Sequence, residues 1–378
     1  MKQKVCKRCI MDTSDRDISF DEHGICNHCT QFDEFAVKIW LPNEEGTKKL
    51  ENLVTQIKKE GQGKKYDSIL GLSGGIDSSY LALKAYEWKL RPLVVHVDAG
   101  WNSELAVANI EAILKHCDFD LHTHVVDWEE MRDLQLAYLR SGISNQDVPQ
   151  DHIFFSTLRH FAASNRIRYF LSGGNLSTEG IFPRSWLGSN LDSTNLKSIH
   201  RKYGLGKLKN YKTISFFEYY LWYPLVHKIR EIRPLNYMPY DKNRALEELQ
   251  AKIGYKPYRR KHGESLFTKF YQNYWLPEKF GFDKRKPHLS SLIASGQLSR
   301  DDALVEMKKP LYEEDELEQD IAFLCKKLRI TREEFEQLMK VPNSSYTDFP
   351  NWDLRYKLVK RIKNFVETLL GRKIEVSP

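Results

Sequence analysis

The chain has 378 residues, a mass of 44.4 kDa and a net charge of +7, a charge that fits an anionic ligand such as a nucleotide or a nucleic acid without choosing between them. This length allows two or three domains with a buried core, and 41% hydrophobic residues with 20 Gly and 14 Pro exclude disordered, fibrous and small disulfide-rich proteins. Because no apolar run reaches the roughly 18 residues of a membrane span and the start Met-Lys-Gln-Lys lacks the apolar core of a secretory signal, we expect a cytoplasmic protein with no membrane partner.

Four of the six cysteines lie within the first 29 residues, as two Cys-x-x-Cys pairs separated by 16 residues. This spacing is typical of structural zinc sites. Two disulfides are disfavoured in a reducing compartment, and a redox dithiol needs only one pair. Four thiolates already complete a tetrahedron, so His23 and His28 are expected to be bystanders. We predict a zinc module over residues 1–45 whose metal is structural and whose ligands are Cys6, Cys9, Cys26 and Cys29.

Residues 32–65 are charged and show a helical pattern that breaks at Gly61-Gln62-Gly63. A strand is predicted next at 66–72, then a glycine loop at 73–79 and a helix at 79–89. Glycines let backbone N–H groups approach phosphate oxygens, and the helix N-terminus adds partial positive charge. Asp77 is placed either to cap this helix or to hold Mg²⁺. The predicted phosphate-binding loop comprises Ser73, Gly74, Gly75, Ile76, Asp77 and Ser78.

The loop sequence Ser-Gly-Gly-Ile-Asp-Ser-Ser resembles the motif of the PP-loop (N-type) ATP pyrophosphatases. That superfamily includes asparagine, NAD and GMP synthetases and tRNA thiolases, which cleave ATP between the α and β phosphates. The Walker pattern and Gly-x-Gly-x-x-Gly are both absent from the sequence, so kinase and dehydrogenase functions lose their main support. The resemblance implies that ATP binds here, with the end of the second strand, at Asp98, beside the adenosine.

Further strands are predicted at 92–97, 121–126 and 167–171, with helical patterns between them. This alternation predicts an α/β fold with a doubly wound parallel sheet over residues 46–240, in which ligands bind at the carboxyl ends of the strands. Gly174 and Asn175 follow the last of these strands and are expected to border the nucleoside with Asp98. Glu179 is a candidate for Mg²⁺ or substrate, or else a solvated loop acid.

The remainder, residues 241–378, is predicted to be a helical domain that closes the substrate crevice. Helices are expected at 245–253, 264–274, 300–308, 313–328, 332–340 and 354–370. Ser299-x-x-Asp302 and Thr331-x-x-Glu334 mark helix N-termini. Cys117 and Cys325 lie on apolar helical stripes, which indicates core packing rather than sulfur transfer.

Beyond the PP-loop, several blocks resemble the N-acetyl sugar amidotransferase family, which is related to the lipopolysaccharide and pseudaminic-acid amidotransferases. The blocks extend to about residue 310. They are the cysteine motifs at 6–15 and 26–29, Arg-Pro-Leu-Asn-Tyr-Met-Pro-Tyr at 233–240, Lys-His-Gly-Glu-Ser-Leu-Phe-Thr-Lys-Phe at 261–270, and Phe-Gly-Phe-Asp-Lys-Arg-Lys-Pro-His-Leu-Ser-Ser-Leu-Ile at 280–293.

The resemblance implies an ATP-dependent C–N ligase that converts a sugar N-acetyl group to N-acetimidoyl. An O-adenylyl imidate forms, ammonia attacks it, and AMP and pyrophosphate are released in the course of bacterial surface-polysaccharide or nonulosonic-acid biosynthesis. The cofactors would be ATP, Mg²⁺ and Zn²⁺. Positive charge is needed where the α-phosphate is attacked. We expect it from Lys261, with Lys228 and Arg233 as further candidates, although each could equally be a surface cation; Asp77 and Glu179 complete the catalytic set.

The resemblance implies a separate glutaminase partner, either alone or with a cyclase-like subunit that channels ammonia, and no glutaminase nucleophile block is evident in the sequence. The substrate would be an acetamido sugar or nucleotide-sugar, and nucleic acid is not an expected partner. The alternative function is a zinc-containing PP-loop tRNA thiolase. Basic stretches at 201–212 and 256–261, interleaved with tyrosines, suit an anionic sugar or nucleotide-sugar, and under the thiolase alternative they would bind tRNA. A noncatalytic nucleotide sensor is a third class.

Overall fold

The structure is a computed structural model that describes residues 4–258 and 263–370, with side chains described up to residue 362. Its centre is a parallel sheet built from the strands β1 Ser68–Gly71, β2 Pro92–Asp98, β3 Leu121–Val125, β4 Tyr169–Leu171 and β5 Arg230–Ile232. The order across the sheet is β3-β2-β1-β4-β5. The direction of winding therefore reverses between β1 and β4, and a crevice opens at such a switch point.

The helices before β4 are α1 Asn27–Ile39, α2 Glu44–Glu60, α3 Ile76–Glu87, α4 Glu104–Cys117, α5 Trp128–Ser141 and α6 Val148–Ser164. Those between β4 and residue 280 are α7 Leu176–Glu179, α8 Arg184–Leu187, α9 Ser193–Tyr203, α10 Lys242–Ile253, α11 Leu266–Phe270 and α12 Leu276–Phe280. The last are α13 Arg285–Ala294, α14 Arg300–Met307, α15 Glu314–Leu328, α16 Arg332–Lys340 and α17 Asp353–Leu370. Two π-helical segments, Glu218–Val226 and Tyr271–Trp275, and two 3₁₀ turns, Pro234–Tyr237 and Tyr346–Asp348, complete the regular structure of the described residues.

The sheet separates two hydrophobic cores, because successive side chains of a strand point to opposite faces. One face carries Ile69, Val95 and Phe170 and packs against α5, α6 and α9. The other carries Leu70, Val94 and Leu171 and packs against α2, α3, α4 and α10. Helices on both faces confirm the predicted α/β architecture with a parallel sheet.

The four predicted strands are all present, but β5 was not predicted. It has only three residues, Arg-Glu-Ile, at the edge of the sheet, so it shows neither an apolar run nor an alternating pattern. The π-helical segments were also not predicted as such. Glu218–Val226 contains Pro224 and a run of aromatic residues that hides any 3.6-residue period.

The C-terminal helices follow their predicted caps closely. Thr331 and Glu334 form a capping box at α16, and the Ser299 hydroxyl accepts from the Asp302 amide at α14. The helix expected over 264–274 instead comprises α11, a π-helical turn and α12. Leu324 of α15 belongs to the same core as Ile69 of β1, so these helices pack on the sheet domain. The divisions at residues 45 and 240 stay predictions.

The N-terminal segment forms a small third core around its cysteines, together with Met11, Phe32 and Ile181. We refer to residues 6–29 as the cysteine knuckle. It packs against α13, whose Ala294 contacts this core. Among the helices of the described residues, none is long and apolar enough to cross a membrane.

Candidate active site

A cleft of about 740 Å³ opens at the carboxyl edge of the sheet, where the loops after β1 and β4 meet. Its walls come from both of these loops, from α6, α7 and α13, and from the two π-helical segments. The polar residues that line it include Ser73, Asp77, Ser78, Asn145, Asp147, Gln150, Asp151, Arg159, Asn175, Glu179, Asn190, Glu231, Arg233, Lys242, Glu264, Thr268, Lys284 and His288.

The first loop, residues 73–78, is held by hydrogen bonds between serine hydroxyl groups and its own backbone. The Ser78 hydroxyl donates to the Gly75 carbonyl at 3.1 Å, and the Gly75 amide donates to the Ser73 hydroxyl at 3.3 Å. Helix α3 begins at Ile76, three residues earlier than predicted, so its first amides and its positive dipole end lie at the cleft. Such an N-terminus after a glycine loop favours binding of a phosphate group.

The second loop packs directly onto the first. A Cβ atom at Gly173 would lie 3.0 Å from the Asp77 carbonyl carbon and 3.0 Å from the Ser78 nitrogen. Both neighbours are backbone atoms, so a side chain at this position would require the two loops to separate by a few tenths of an ångström. The loops that follow β1 and β4 are therefore in contact at the switch point.

Asn175 uses its side chain to start helix α7. Its Oδ1 accepts from the Thr178 amide at 3.0 Å and from the Ser177 hydroxyl at 2.7 Å. This cap places Glu179, at the end of the same short helix, in the cleft lining. Asn175 thus lies in the cleft wall as the sequence predicts, and it also has a structural role there.

Asp77 lies in the first turn of α3 and does not cap the helix. The N-cap residue is Gly75, whose backbone is extended, and no side chain caps it. The Asp77 carboxylate instead accepts a hydrogen bond from the Tyr240 hydroxyl. Burial, together with the negative charge of Asp77, raises the pKa of Tyr240 far above its ordinary value, so this hydroxyl remains a donor at neutral pH.

Two residues predicted to contact the nucleotide do not line the cleft of the described chain. The carbonyl of Gly74 accepts from the hydroxyls of Tyr255 and Tyr258, at 2.8 and 3.0 Å. The carboxylate of Asp98 accepts from the Gly100 amide at 2.8 Å and the Asn102 amide at 3.1 Å, and so orders its own loop. Their roles toward a nucleotide stay predictions.

Cations reach the cleft from several elements. Arg233 donates to Glu231 through Nε and Nη2, both at 3.1 Å, and its Nε lies 3.9 Å from where a Cβ of Gly174 would be. Lys242, at the start of α10, also lines the cleft, whereas Lys228 does not belong to its lining. Lys261 lies outside the described residues.

Arg159 and Lys284 are cleft cations that the sequence reasoning missed. Arg159 is 6% exposed, donates to Glu231 at 2.9 Å and lies over the ring of Tyr219. Lys284 is 8% exposed and lies over the ring of Phe182. Neither position carries a local sequence signal, because Arg159 is brought to the cleft by the packing of α6, and Lys284 by the turn immediately before α13.

One side of the cleft is a network of amides, carboxylates and a hydroxyl, which we call the amide wall. Within it the Asn190 amide donates to Asp151 at 2.5 Å, and Thr268 donates to Asp147 at 3.0 Å. Burial and the neighbouring carboxylates raise the pKa of Asp151, and Lys284 opposes this rise. Its members, none of which was predicted, are Asn145, Asp147, Gln150, Asp151, Asn190 and Thr268.

The geometry of the cysteine knuckle fits a tetrahedral zinc ion. All four cysteines are fully buried, and their sulfur atoms are separated by 4.0 Å (Cys6 to Cys29), 3.6 Å (Cys9 to Cys26) and 3.8 Å (Cys26 to Cys29). Four thiolates at a Zn–S distance of about 2.3 Å lie about 3.8 Å apart. Three backbone amides also donate to the sulfur of Cys6 at 3.3 to 3.5 Å, as suits a thiolate.

The two histidines within the knuckle are not part of its cluster of four sulfur atoms. His28 contacts Asp15 at 2.5 Å, and Asp15 also accepts from the Ser185 hydroxyl. Burial raises the pKa of Asp15, but these hydrogen bonds outweigh it, so the net pKa lies below the ordinary value. His23 is exposed beside Glu22. The cysteine cluster is complete without either histidine.

Cys117 and Cys325 are buried in the hydrophobic cores on opposite faces of the sheet, as predicted. Burial raises the pKa of the Cys117 thiol to about 12 and also raises that of Cys325. All six cysteines belong to the described residues, and none of them lines the cleft.

Two sequence comparisons bear on this chain. Residues 264–363 match the family described as LPS biosynthesis protein WbpG-like, C-terminal domain. A protein of Methanocaldococcus jannaschii, described as uncharacterised, is 35% identical over 120 residues, which are 31% of this chain and 40% of that protein. The chain therefore spans about two fifths of the length of this curated relative.

Two solved structures show limited similarity. The ammonia-dependent NAD synthetase of Campylobacter jejuni is 16% identical with a TM-score of 0.27, over 42% of this chain and 72% of that one. The NMN synthetase of Francisella tularensis is 12% identical with a TM-score of 0.25, over 58% of this chain and 98% of that one. Similarity at these TM-scores carries no argument about function.

Proposed function

We propose that this chain is an ATP-dependent, AMP-forming amidotransferase that converts the N-acetyl group of a sugar to N-acetimidoyl in the biosynthesis of a bacterial surface polysaccharide or nonulosonic acid. One observation carries the proposal. Two glycine loops, one with the PP-loop motif, meet at the switch point of a parallel sheet and at the N-terminus of α3. The family match supports the polysaccharide context, because residues 264–363 contribute Glu264, Thr268 and Lys284 to the cleft.

ATP would bind with its β and γ phosphates at the first loop. The loop amides and the start of α3 supply partial positive charge, and Gly173 lets the second loop close against them. Arg233 and Lys242 add full charges in the same cleft. These groups would stabilise the pyrophosphate as it leaves.

Asp77 and Glu179 fit a magnesium ion, because both are carboxylates in the lining of one cleft and Mg²⁺ prefers oxygen ligands. Bound Mg²⁺ would neutralise charge on the phosphates. The Tyr240 hydroxyl holds one oxygen of Asp77, so it fixes the orientation of this carboxylate. We assign Asp77 and Glu179 to the metal and Tyr240 to their support.

The reaction uses ATP to turn a poor electrophile into a good one. The acetamido oxygen attacks the α-phosphorus, the bond to the β-phosphate oxygen breaks, and pyrophosphate leaves. Ammonia then attacks the carbon of the O-adenylyl imidate. The C–O bond breaks, AMP leaves with the former acetyl oxygen, and loss of one proton gives the acetimidoyl product. The α-phosphate acquires charge in the first step, and Arg233 or Lys261 would stabilise it there.

The amide wall suits a hydroxyl-rich ring in the same cleft as the loops. Its own N–H and O–H donors are engaged within the network, for example Asn190 to Asp151 and Gln150 to Asp147. Asp147 and Asp151 are the hydrogen-bond acceptors of this network. Sugar hydroxyl and acetamido N–H groups are donors that match these acceptors.

A separate glutaminase would supply ammonia, with a cyclase-like subunit as a channel if one is required. Zinc would hold the knuckle together and take no part in the chemistry, since four protein ligands leave no open coordination position. A thiolase function is less well supported, because no cysteine lines the cleft of the described chain.

The test is incubation of zinc-loaded protein with Mg·ATP, ammonium chloride and a panel of free and nucleotide-linked acetamido sugars. AMP formation that depends on both sugar and ammonia, with a sugar product in which NH replaces O by mass spectrometry, supports the proposal. Sulfur transfer to tRNA without sugar-dependent AMP formation would refute it.

A further inference from the structure

We infer that helix α13 (Arg285–Ala294) couples the position of the cysteine knuckle to the cleft, and that Asp12, Lys286 and Arg300 are positioning residues for the proposed magnesium-binding carboxylates Asp77 and Glu179. The inference rests on the proposed function for its kinetic consequence. Its structural part, the coupling of knuckle to cleft, can be measured without any turnover.

The knuckle contacts α13 through a salt bridge and a hydrogen bond. Lys286 Nζ donates to Asp12 Oδ2 at 2.5 Å, and the Asp12 side chain is 4% exposed. The Ile10 amide donates to the Ser290 hydroxyl at 3.2 Å. Lys286 and Ser290 are four residues apart, so they lie on one face of the helix, and this face contacts the knuckle.

The segment after α13 also forms hydrogen bonds with the knuckle. Arg300, at the start of α14, donates from Nε to the Cys9 carbonyl and from Nη2 to the Cys6 carbonyl, both at 3.1 Å. These carbonyls belong to two of the four candidate zinc ligands. The backbone of the first Cys-x-x-Cys pair is thereby tied to the chain that leaves α13.

A different face of α13 lines the cleft. Lys284, Pro287 and His288 are spaced by three and four residues, and all three line it. The Ser291 hydroxyl accepts from the Ile181 amide at 2.9 Å, and Ser295 donates to the Ser177 carbonyl at 3.0 Å. The helix therefore braces the α7 region, which carries Glu179.

The residues that follow α13 also contact the residue that holds Asp77 of the first loop. The Gln297 amide donates to the Tyr240 carbonyl at 2.9 Å, and Tyr240 holds Asp77 through its hydroxyl. One ten-residue helix and its C-terminal extension thus contact the knuckle, the α7 region and the support of Asp77. A metal-bound knuckle is a rigid anchor for this helix, because metal binding in such small sites supplies folding free energy.

The decisive variant is Lys286→Met, which removes the ammonium group that donates to Asp12, with Lys286→Arg as the charge-conserving rescue. Lys115→Met, at an exposed position of α4, is the matched control. We expect Lys286→Met to raise the KM for Mg·ATP about tenfold, with kcat changed less. We expect Lys286→Arg to restore most of the KM.

Hydrogen–deuterium exchange supplies the readout that needs no turnover. Lys286→Met should accelerate exchange of the amides in 285–294 and 176–181 while leaving β1 and β2 unchanged, and removal of zinc by a chelator should do the same. Ser290→Ala, which removes only a hydroxyl, should act in the same direction with a smaller effect, and it serves if Lys286→Met does not fold.

The outcomes separate the two proposals. If the wild-type protein turns over no sugar but exchange at 176–181 responds to Lys286→Met, the coupling stands and the proposed function falls. If sugar is turned over and neither KM nor exchange responds to Lys286→Met, the coupling is refuted. A fall in kcat alone, without rescue by Lys286→Arg, also refutes it.

Discussion

The cysteine knuckle takes all its candidate ligands from one short segment, whereas the cleft takes its polar side chains from elements spread between residues 73 and 288. The four cysteines of the knuckle are fully buried, and four thiolates would complete the coordination of one zinc ion; the cleft is open and holds about 740 Å³. The comparison teaches that a site with one kind of ligand at short spacing is visible in a sequence and tends to be structural. The chemical site is assembled by the fold.

This contrast predicts that substitutions in the two regions affect different properties of the protein. Damage to the knuckle should lower stability first, and damage to the cleft should lower activity while the protein stays folded. Four experiments test the separation, in decreasing order of expected effect.

Asp77→Asn should reduce the rate of AMP formation about a thousandfold, because it removes charge from the proposed magnesium site at the developing pyrophosphate. The amide oxygen can still accept from Tyr240, so the melting temperature should change little. Steady-state AMP release and a thermal melt provide the two measurements. Asp118→Asn is the control, since its exposed left-handed position suits Asn well. An Asp77→Asn variant with near wild-type activity would contradict the assignment.

Cys9→Ser should lower the free energy of unfolding by about 3 kcal/mol or more and reduce the bound zinc, because loss of a structural metal belongs to the most destabilising changes. Metal analysis and chemical denaturation measure both effects. A variant with full stability and a wild-type protein with much less than one zinc per chain would show that the knuckle is held by its core alone.

Gly173→Ala should weaken binding of α,β-methylene-ATP about tenfold, because its Cβ would lie 3.0 Å from backbone atoms of Asp77 and Ser78. Gly174→Ala is the paired variant. There the new Cβ would meet Ser172 Oγ at 3.4 Å, an ordinary contact, so the loss of affinity should be smaller. Titration calorimetry compares the two, and the reverse order would mean that the loops do not close on the nucleotide as proposed.

Cys117→Ala and Cys325→Ala should leave AMP formation within about twofold of wild type, since both thiols are core groups that do not line the cleft. Each should cost a modest amount of stability from lost packing. Sulfur-transfer chemistry at either residue would instead abolish activity, so this pair of variants separates the amidotransferase from the thiolase alternative.

The sequence predicted those parts of the fold whose signal is local. The strand at 92–97 follows from an apolar run and the other three from their place between helical patterns, the caps at Ser299 and Thr331 follow from short motifs, and the phosphate loop is contiguous at 73–78. The strand order could not be read in this way, because pairing of β1 with β4 joins segments about 100 residues apart. The short edge strand β5 has two charged residues out of three and carries no pattern.

The candidate site was predicted in the same uneven way. Asp77, Glu179, Asn175 and Arg233 lie in the cleft, and the strand-end rule correctly brought the loops after β1 and β4 together. The strand-end rule does not predict where a side chain points. The carboxylate of Asp98, for example, is hydrogen-bonded to the backbone of its own loop.

The amide wall and Lys284 were missed because isolated polar and charged residues resemble any solvated surface. Only the packing of α6, of α11 and of the loops at 145, 190 and 284 brings these side chains to one cavity.

The most direct measurement follows the acetyl oxygen. A substrate sugar labelled with ¹⁸O in its acetamido carbonyl, turned over with unlabelled ATP and ammonia, should release AMP that carries one ¹⁸O per turnover, because the C–O bond breaks when ammonia displaces AMP. Unlabelled AMP, or release of ADP in its place, would contradict activation of the amide oxygen on the α-phosphorus.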